Sequence, residues 1–251
     1  MSQLLQSALL LLAGFIPSAI WLRFFFVKDR HPEPIYLISR VFLAAIILAP
    51  LAILCQWLFI EVIKQANPAF HASESPQFFL WAALVEEFIK FLPFVIIVFY
   101  NNEFDEPVDA MIYMIAAGLG FAAIENILVV AKTFQQGIHI TFQLLVLRFI
   151  GATLLHAVAS GLIGYFIGLA WFYHHHSKKI ILVGIIIATL LHFAFNMLLV
   201  VSEIYPFLIL GTSGLLVIIT YLVSILFYKI QERQDRQLST TLTSSDALKR
   251  T

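Results

Sequence analysis

Long apolar runs separated by short polar segments fill the sequence from its beginning to about residue 228. A helix needs about 20 mostly apolar residues to cross the hydrocarbon core of a membrane, and seven runs reach that length. The pattern therefore predicts an all-α, polytopic bundle of transmembrane helices. The runs are 4–25, 38–62, 78–100, 109–130, 140–173, 180–201 and 206–228.

The fifth run, residues 140–173, is too long for one simple span. A continuous helix of that length would reach about 50 Å, so the run must tilt, extend beyond the bilayer or split near Arg148 and Gly151. Seven spans are expected, and an arrangement with eight stays open. We expect one helical domain over residues 1–230, followed by a polar, disordered cytoplasmic tail at residues 231–251.

Composition supports a membrane protein, since 61% of the residues are hydrophobic and only 12% are charged. Soluble domains typically contain about 25% charged residues. The formal net charge is zero, so the total charge gives no information about partners, and the distribution of Lys and Arg carries it instead. For a membrane protein of this kind we expect the lipid bilayer as a partner, and no nucleic acid. The single cysteine, Cys55, excludes an internal disulfide.

The distribution of Lys and Arg predicts the orientation, because cytoplasmic loops of membrane proteins are enriched in both. With seven spans and the N-terminus outside, eleven of the fifteen Lys and Arg residues fall on the cytoplasmic side. Only Lys64 and Lys132 fall outside. The C-terminus is therefore predicted to be cytoplasmic.

Ionisable residues interrupt the third run at Glu86, Glu87 and Lys90. Each costs roughly 2.5–3.5 kcal/mol at the centre of a membrane helix, so partners must compensate for them. Glu86 and Lys90 lie four residues apart and can pair on one helix face. Glu125 in the fourth run also needs a partner, and Lys90, Arg148 or a metal ion can serve.

Two histidines add to this set of intramembrane polar residues, His156 in the fifth run and His192 in the sixth. His156, Ser160, Gly164 and Gly168 recur every four residues, which predicts a smooth face that packs against another helix. By its distance from the end of its run, each of Glu86, Glu125, His156 and His192 falls in the outer half of the membrane. Their shared depth predicts one intramembrane polar site.

Carboxylates and imidazoles in a wet cavity can exchange protons with a water molecule or hold a metal ion that activates it. No Ser/His/Asp order is evident, and an HExxH motif is absent. The residues therefore favour hydrolysis by an activated water over a covalent serine mechanism.

Four motifs follow one another along successive runs. Residues 86–90 match EExxK, residues 121–126 match FxxxEN, His156 begins an HxxxSG-like segment, and residues 192–196 match HxxxN. In this order, over about residues 80–200, they resemble the PrsW family of intramembrane proteases, which is related to the CAAX-processing and bacteriocin-processing membrane proteases. The resemblance implies an endopeptidase of a bacterial-type cell membrane. Its substrates would be membrane-associated proteins cut near the extracytoplasmic side, for example an anti-sigma factor.

The resemblance also assigns roles to residues. It implies that Glu86 and Glu87 activate water, that Glu125 and His156 are acid–base partners or metal ligands, and that His192 and Asn196 complete the site or its oxyanion hole. The supporting residues are Lys90, Asn126, Arg148 and Ser160. The cofactor stays open: a metal-free glutamate mechanism is slightly favoured, and zinc is the alternative. The ligands of a metal ion would be Glu86, Glu125, His156 and His192.

Three other functions remain as alternatives at this point. An ion- or proton-coupled transporter or channel also uses intramembrane carboxylates and histidines, but it should place polar residues in both halves of the membrane. A haem protein could use His156 and His192 as axial ligands, which would leave the carboxylates unexplained. A scaffold could keep the fold without activity.

Asp105, Glu106 and Asp109, just before and at the start of the fourth helix, are expected to complement its N-terminus.

Overall fold

The computed structural model describes the backbone of residues 3–248, and the side chains of residues 12–237 and 239. Within this part of the chain eight α-helices form and no strand occurs, which confirms the all-α prediction. The helices are α1 (Gln3–Phe26), α2 (Ile35–Ala66), α3 (Pro76–Pro93), α4 (Asp109–Thr133), α5 (Ile138–Ile150), α6 (Ala152–Trp171), α7 (Ser177–Ile204) and α8 (Leu208–Leu248).

Helix α4 forms the centre of the bundle, and every residue from 109 to 123 is buried. A helix that is apolar on all sides is expected to be enclosed by neighbours. Its glycines allow those neighbours to approach closely. A Cβ added at Gly120 would lie 2.3 Å from the carbonyl oxygen of Phe42 on α2, and one added at Gly118 would lie 2.6 Å from the carbonyl oxygen of His156 on α6.

Helix α6 packs antiparallel against α4 through the small-residue face predicted from the sequence. A Cβ at Gly164 would lie 2.5 Å from the Ala110 carbonyl oxygen, and one at Gly168 would lie 2.3 Å from that of Pro107. The predicted packing face is therefore confirmed. The contact brings His156, at the start of α6, beside the second half of α4.

The long fifth run breaks at Gly151, between α5 and α6. Gly151 has φ −92° and ψ −99°, outside the helical region, while its N–H still bonds the Leu147 carbonyl at 2.8 Å. Of the options that the sequence left open, the structure selects the split. Helix α5 has 13 residues and rises only about 20 Å, so it is too short to cross a bilayer by itself.

Among the residues whose side chains are described, five helical segments are long and apolar enough to cross a membrane: Ile35–Ala66, Asp109–Gln136, Ile138–Trp171, His174–Ile204 and Leu208–Gln237. The described part of α1, Leu12–Phe26, is a shorter apolar helix. Helix α3 does not match this description because its 18 residues include Glu86, Glu87 and Lys90. Large apolar side chains on the outside of the bundle, such as Ile47 (74% exposed) and Leu210 (79% exposed), suit contact with lipid. The chain is thus a helical integral membrane protein.

Helix α3 ends at Pro93 and passes into a π-helical turn at Phe94–Val98. Pro93 has no N–H and cannot bond the carbonyl of Ile89, so the widened turn follows from the break that the proline makes. Ile89, Pro93, Phe94 and Val98 are all buried, and the interrupted backbone is therefore enclosed by protein.

The tail differs from the sequence prediction, because α8 continues as a helix to Leu248 instead of ending near residue 230. No proline or glycine interrupts residues 215–248, and Arg236 pairs with Glu232 one turn earlier at 2.6 Å. Arg30 in the α1–α2 loop pairs with Asp235 at 3.0 Å. Residues 249–251 of the predicted disordered tail lie outside the described part.

Candidate active site

Four helices bring the predicted polar residues together. Glu86 and Glu87 come from α3, Glu125 from α4, His156 from α6 and His192 from α7. All except Glu125 are buried, and Glu125 keeps 28% of its side chain exposed. Contacts between these side chains form one connected cluster, which we call the Glu–His cluster.

Glu87 lies at the closed end of the Glu–His cluster and is completely buried. Its Oε1 accepts a hydrogen bond from Lys90 Nζ at 2.6 Å and lies 2.8 Å from His192 Nδ1. Lys90 therefore pairs with Glu87, three residues away, and not primarily with Glu86 as the four-residue spacing suggested. Its Nζ is 3.9 Å from Glu86 Oε2, beyond hydrogen-bond distance. Buried contacts of this kind fix the position of the His192 ring.

Glu86 faces a different environment. Its Oε1 accepts a hydrogen bond from Gln56 Nε2 on α2 at 3.0 Å. Its Oε2 is buried without a hydrogen-bond partner among the described residues and lies 3.6 Å from His192 Nε2. Glu87 Oε2 is also buried without a hydrogen-bond partner among the described residues. Of the two adjacent glutamates, however, only Glu86 lines the neighbouring cavity, where a ligand can reach it.

Glu125 holds the second histidine. Its Oε2 lies 3.0 Å from His156 Nε2 and accepts a hydrogen bond from Arg148 Nη2, also at 3.0 Å. Arg148 and His156 are thus the partners that this intramembrane carboxylate required. His156 Nδ1 is buried and has no hydrogen-bond partner among the described residues.

Each histidine therefore has one nitrogen beside a carboxylate. If Glu87 accepts the Nδ1 proton of His192, the Nε2 lone pair of that ring stays free, and if Glu125 accepts the Nε2 proton of His156, its Nδ1 lone pair stays free. The two rings meet edge to face with centroids 5.2 Å apart. Histidines that bind a metal ion through one ring nitrogen usually donate the N–H of the other nitrogen to a carboxylate or a carbonyl group.

Potential ligand atoms of Glu86, His156 and His192 lie within 4.8 Å of one another. Two imidazoles and one carboxylate form a known set of zinc ligands in catalytic sites, and Glu86 and His156 each have a buried polar atom without a partner. The residues therefore fit a metal ion. Glu125, which the sequence also proposed as a ligand, lies outside this group of three and instead contacts His156.

The supporting residues lie around the cluster. Asn126 accepts a hydrogen bond from Arg148 Nε at 2.6 Å and donates one to Thr153 Oγ1 at 3.0 Å, which connects α4, α5 and α6. Ser160 Oγ is buried without a hydrogen-bond partner among the described residues and packs against Gly118, a contact between helices. Asn196 is half-buried on α7 and makes no hydrogen bond to the cluster in the described part of the chain.

A cavity of about 430 Å³ opens beside the Glu–His cluster, between α2, α3, α4 and α5. Glu86, Glu125, Arg148 and Gln56 form its polar side, whereas Glu87 and Lys90 do not line it. Most of the remaining lining is apolar, including Ile53, Phe121 and Leu128. The cavity therefore gives a ligand access to Glu86 and Glu125 but not to Glu87.

Sequence reasoning missed Gln56, whose amide orients Glu86. The available signal was a single amide in the apolar run of α2, which is a weak signal because an uncharged amide is less costly in a membrane than a charge. Sequence reasoning included Phe121 in the FxxxEN motif but did not predict its contacts: the centre of its ring lies 5.0 Å from Lys90 Nζ and 5.7 Å from the centre of the His156 ring. Such aromatic contacts depend on three-dimensional packing that helical spacing does not reveal.

Comparison with known proteins agrees with this geometry. The model of the PrsW family intramembrane metalloproteases matches residues 33–227. The chain is 31% identical over 212 residues to Protease PrsW of Oceanobacillus iheyensis, which covers 84% of this chain and 87% of that protein. It is 30% identical over 196 residues to Protease PrsW of Geobacillus kaustophilus, with coverages of 77% and 81%. Protease PrsW of Bacillus subtilis is 26% identical over 189 residues, with coverages of 74% and 81%.

No solved structure matches the chain. The family match covers all five site residues that the four helices bring together, and it favours a protease over a transporter, a channel or a haem protein. The resemblance inferred from the motifs is thereby confirmed. The chain belongs to the PrsW family of intramembrane metalloproteases.

Proposed function

We propose that this protease hydrolyses peptide bonds of membrane-associated proteins with a water molecule activated beside Glu86, His156 and His192. The observation that carries the proposal is the orientation of the two imidazoles. Glu87 lies 2.8 Å from Nδ1 of His192, and Glu125 lies 3.0 Å from Nε2 of His156. Each ring keeps its other nitrogen available for a ligand, and Glu86 Oε2 is available beside them.

Glu86, His156 and His192 would hold a zinc ion in this proposal. The unpartnered buried atoms and the family's description as metalloproteases support it over the metal-free mechanism that the sequence slightly favoured. When bound, zinc would polarise the scissile carbonyl group and lower the pKa of a water molecule. Glu87 would act as a positioning residue, since its carboxylate fixes His192 and its charge is compensated by Lys90.

Glu125 and Arg148 would assist the reaction from the wall of the cavity. The Glu125 carboxylate is partly exposed there and can accept a proton from the attacking water. The Arg148 guanidinium also lines the cavity and can stabilise the negative charge that develops on the carbonyl oxygen. We therefore assign the oxyanion donor to Arg148 in preference to Asn196, which has no hydrogen bond to the cluster.

The apolar lining of the cavity supports a substrate segment with apolar side chains, such as the end of a transmembrane helix. A peptide bond within a helix is shielded by its own hydrogen bonds, so the segment must unwind before it reaches Glu86 and Glu125. The excess of Lys and Arg in the proposed cytoplasmic loops supports an outside N-terminus and a cytoplasmic C-terminus in a bacterial-type cell membrane. The cut would then lie near the extracytoplasmic side, as suits an anti-sigma factor.

The test is cleavage of a co-expressed single-pass substrate by the wild type and by Glu86→Gln, Glu87→Gln and His156→Ala at matched protein levels. Loss of a catalytic acid–base group or metal ligand should reduce cleavage by about 100-fold or more. Glu61→Gln serves as a matched control, because Glu61 is exposed on the same bundle and contacts none of the site residues. If Glu86→Gln and His156→Ala cleave like the wild type, the proposed centre is wrong.

A further inference from the structure

A second group of buried carboxylates lies at the other end of α4, away from the Glu–His cluster. Asp29 and Glu33 come from the α1–α2 loop and Asp109 begins α4, and they are only 7%, 6% and 1% exposed. An oxygen of each lies within 4.8 Å of the others. Sixteen residues of helix separate Asp109 from Glu125, a rise of about 24 Å, so this carboxylate group is distinct from the active site.

In each of the three carboxylates, one oxygen accepts a hydrogen bond from a donor outside the group. Asp29 Oδ1 accepts the backbone N–H of His31 at 3.1 Å, and Asp109 Oδ2 accepts that of Glu106 at 2.7 Å. Glu33 Oε2 accepts the hydroxyl of Tyr113. These bonds fix the three side chains in place. Asp109 lies in the first turn of α4, where its charge complements the helix N-terminus as the sequence predicts, but the N-cap residue is Val108, which makes no side-chain hydrogen bond.

Two of the remaining carboxylate oxygens are buried and accept no hydrogen bond from these donors. Asp29 Oδ2 and Asp109 Oδ1 accept no hydrogen bond from a described residue outside the three carboxylates. Buried polar atoms without partners are uncommon in native proteins, and a bound ion is one recognised explanation. Two such atoms in one group of three carboxylates point to a bound ligand that carries positive charge.

No Lys or Arg in the described part of the chain forms an ion pair with these carboxylates. Arg30, which adjoins Asp29 in sequence, is paired with Asp235 at 3.0 Å, and His31 is paired with Glu106 at 2.8 Å. The negative charge of the group thus lacks a protein partner, in contrast to that of the Glu–His cluster.

We propose that Asp29, Glu33 and Asp109 bind one divalent cation of the oxygen-preferring class, such as Mg²⁺, Ca²⁺ or Mn²⁺. All three ligands are carboxylates, whereas zinc sites favour histidine and cysteine. Oxygens on opposite sides of Ca²⁺ lie about 4.6–5.2 Å apart, so a group within 4.8 Å can surround such an ion with water in the remaining positions. The ion would tie the α1–α2 loop to the start of α4 and would not take part in hydrolysis.

The test uses the full-length protein in lipid nanodiscs, first treated with EDTA and then titrated with Mg²⁺, Ca²⁺ or Mn²⁺ at constant ionic strength. At a concentration a hundredfold above Kd, the cation should raise the unfolding temperature by about 5–10 °C. Asp109→Asn and Asp29→Asn should each remove most of this shift. Glu61→Gln, which changes an exposed carboxylate, should keep it.

Electron paramagnetic resonance gives an independent measurement, the number of Mn²⁺ ions bound per chain. The wild type should bind one more Mn²⁺ per chain than Asp29→Asn, and this readout holds even if Asp109→Asn fails to fold. The proposal is overturned if the wild type shows no cation-dependent shift, or if both variants keep the wild-type shift and Mn²⁺ count. Stabilisation by acid alone, without any response to cations, would show that shared protons occupy the site and would likewise overturn it.

Discussion

The two buried carboxylate groups at opposite ends of α4 differ in how their charge is compensated. In the Glu–His cluster, Lys90 and Arg148 contribute two positive charges against the three carboxylates of Glu86, Glu87 and Glu125. The group of Asp29, Glu33 and Asp109 has no Lys or Arg partner among the described residues, and none of its three members lines the cavity beside the Glu–His cluster. Buried carboxylates with built-in cations and an open face suit catalysis, whereas enclosed carboxylates without them suit a bound structural ion.

The contrast also explains which glutamate is accessible. Glu87 receives the full charge of Lys90 and is shielded, so its ionised form can remain buried. Glu86 is only 3.9 Å from the same Lys90 Nζ, but it keeps a free oxygen beside the cavity. One negative charge is left over in the Glu–His cluster, which favours binding of a further cation beside the two imidazoles.

The largest effect should follow from removing the built-in cation. Lys90→Met leaves Glu87 as a buried charge without its partner and should reduce the free energy of unfolding by about 3–5 kcal/mol. The double variant Lys90→Met/Glu87→Gln should recover a large part of that loss, since it removes both charges. Thermal unfolding in nanodiscs measures both. Equal stability of the wild type and Lys90→Met would contradict the assignment of Lys90 as the compensating charge.

A smaller effect should follow from a substitution that pushes α6 away from α4 at Gly118, a position on α4 between the two carboxylate groups. At Gly118 an added Cβ would lie 2.3 Å from Ser160 Oγ and 2.6 Å from the His156 carbonyl. Gly118→Ala should therefore cost about 1–3 kcal/mol of unfolding free energy and should displace His156, which lowers cleavage of a co-expressed substrate.

Gly214 on α8 provides the control, because a Cβ there meets no atom within 4 Å. Gly214→Ala should stabilise the helix by about 0.5–1 kcal/mol, as expected for replacing glycine in a helix. If the two substitutions have the same effect, the close packing of α6 on α4 does not constrain the site.

A third prediction concerns the orientation of Glu86. Gln56→Met removes the hydrogen bond to Glu86 Oε1 and should lower the cleavage rate about tenfold, since a hydrogen bond to a charged group contributes about 1.5 kcal/mol. The unfolding temperature should change little because Gln56 is only half-buried. Gln143→Met, at an exposed position on α5, is the matched control, and an equal rate in both variants would exclude a positioning role for Gln56.

The smallest expected effect is a change in unfolding free energy that has opposite signs in the two carboxylate groups. In EDTA, Asp29→Asn should raise the unfolding free energy by on the order of 1 kcal/mol because it removes one of three close like charges. The amide oxygen can still accept the N–H of His31. Glu87→Gln should instead destabilise the protein, because it leaves Lys90 buried without its partner. Destabilisation of similar size by both substitutions in EDTA would show that the two groups are compensated alike.

The sequence predicted most of the Glu–His cluster because intramembrane charges are conspicuous in apolar runs. Depth from the ends of those runs was enough to expect Glu86, Glu125, His156 and His192 at one level. It could not tell which glutamate Lys90 contacts, since spacings of three and four residues both bring side chains together on a helix. The structure selects Glu87 through the position of His192 on α7.

The group of Asp29, Glu33 and Asp109 could not be predicted in the same way. Asp109 lies 80 residues from Asp29, at the start of a helix, where an acidic residue has an ordinary local explanation. Only the packing of α1 and α2 around α4 shows that these carboxylates meet.

The helical tail was also missed, because polar composition indicates the lack of a core but does not prevent an existing helix from continuing.

The central claim is that Glu86, His156 and His192 form one metal-dependent hydrolytic centre, and metal analysis of purified, active protein tests it most directly. The account predicts about one zinc ion per chain in the wild type, strongly reduced zinc in His156→Ala and Glu86→Gln, and wild-type zinc in Asp109→Asn. Full cleavage activity in a wild-type preparation that contains no zinc or other transition metal after chelation would contradict it.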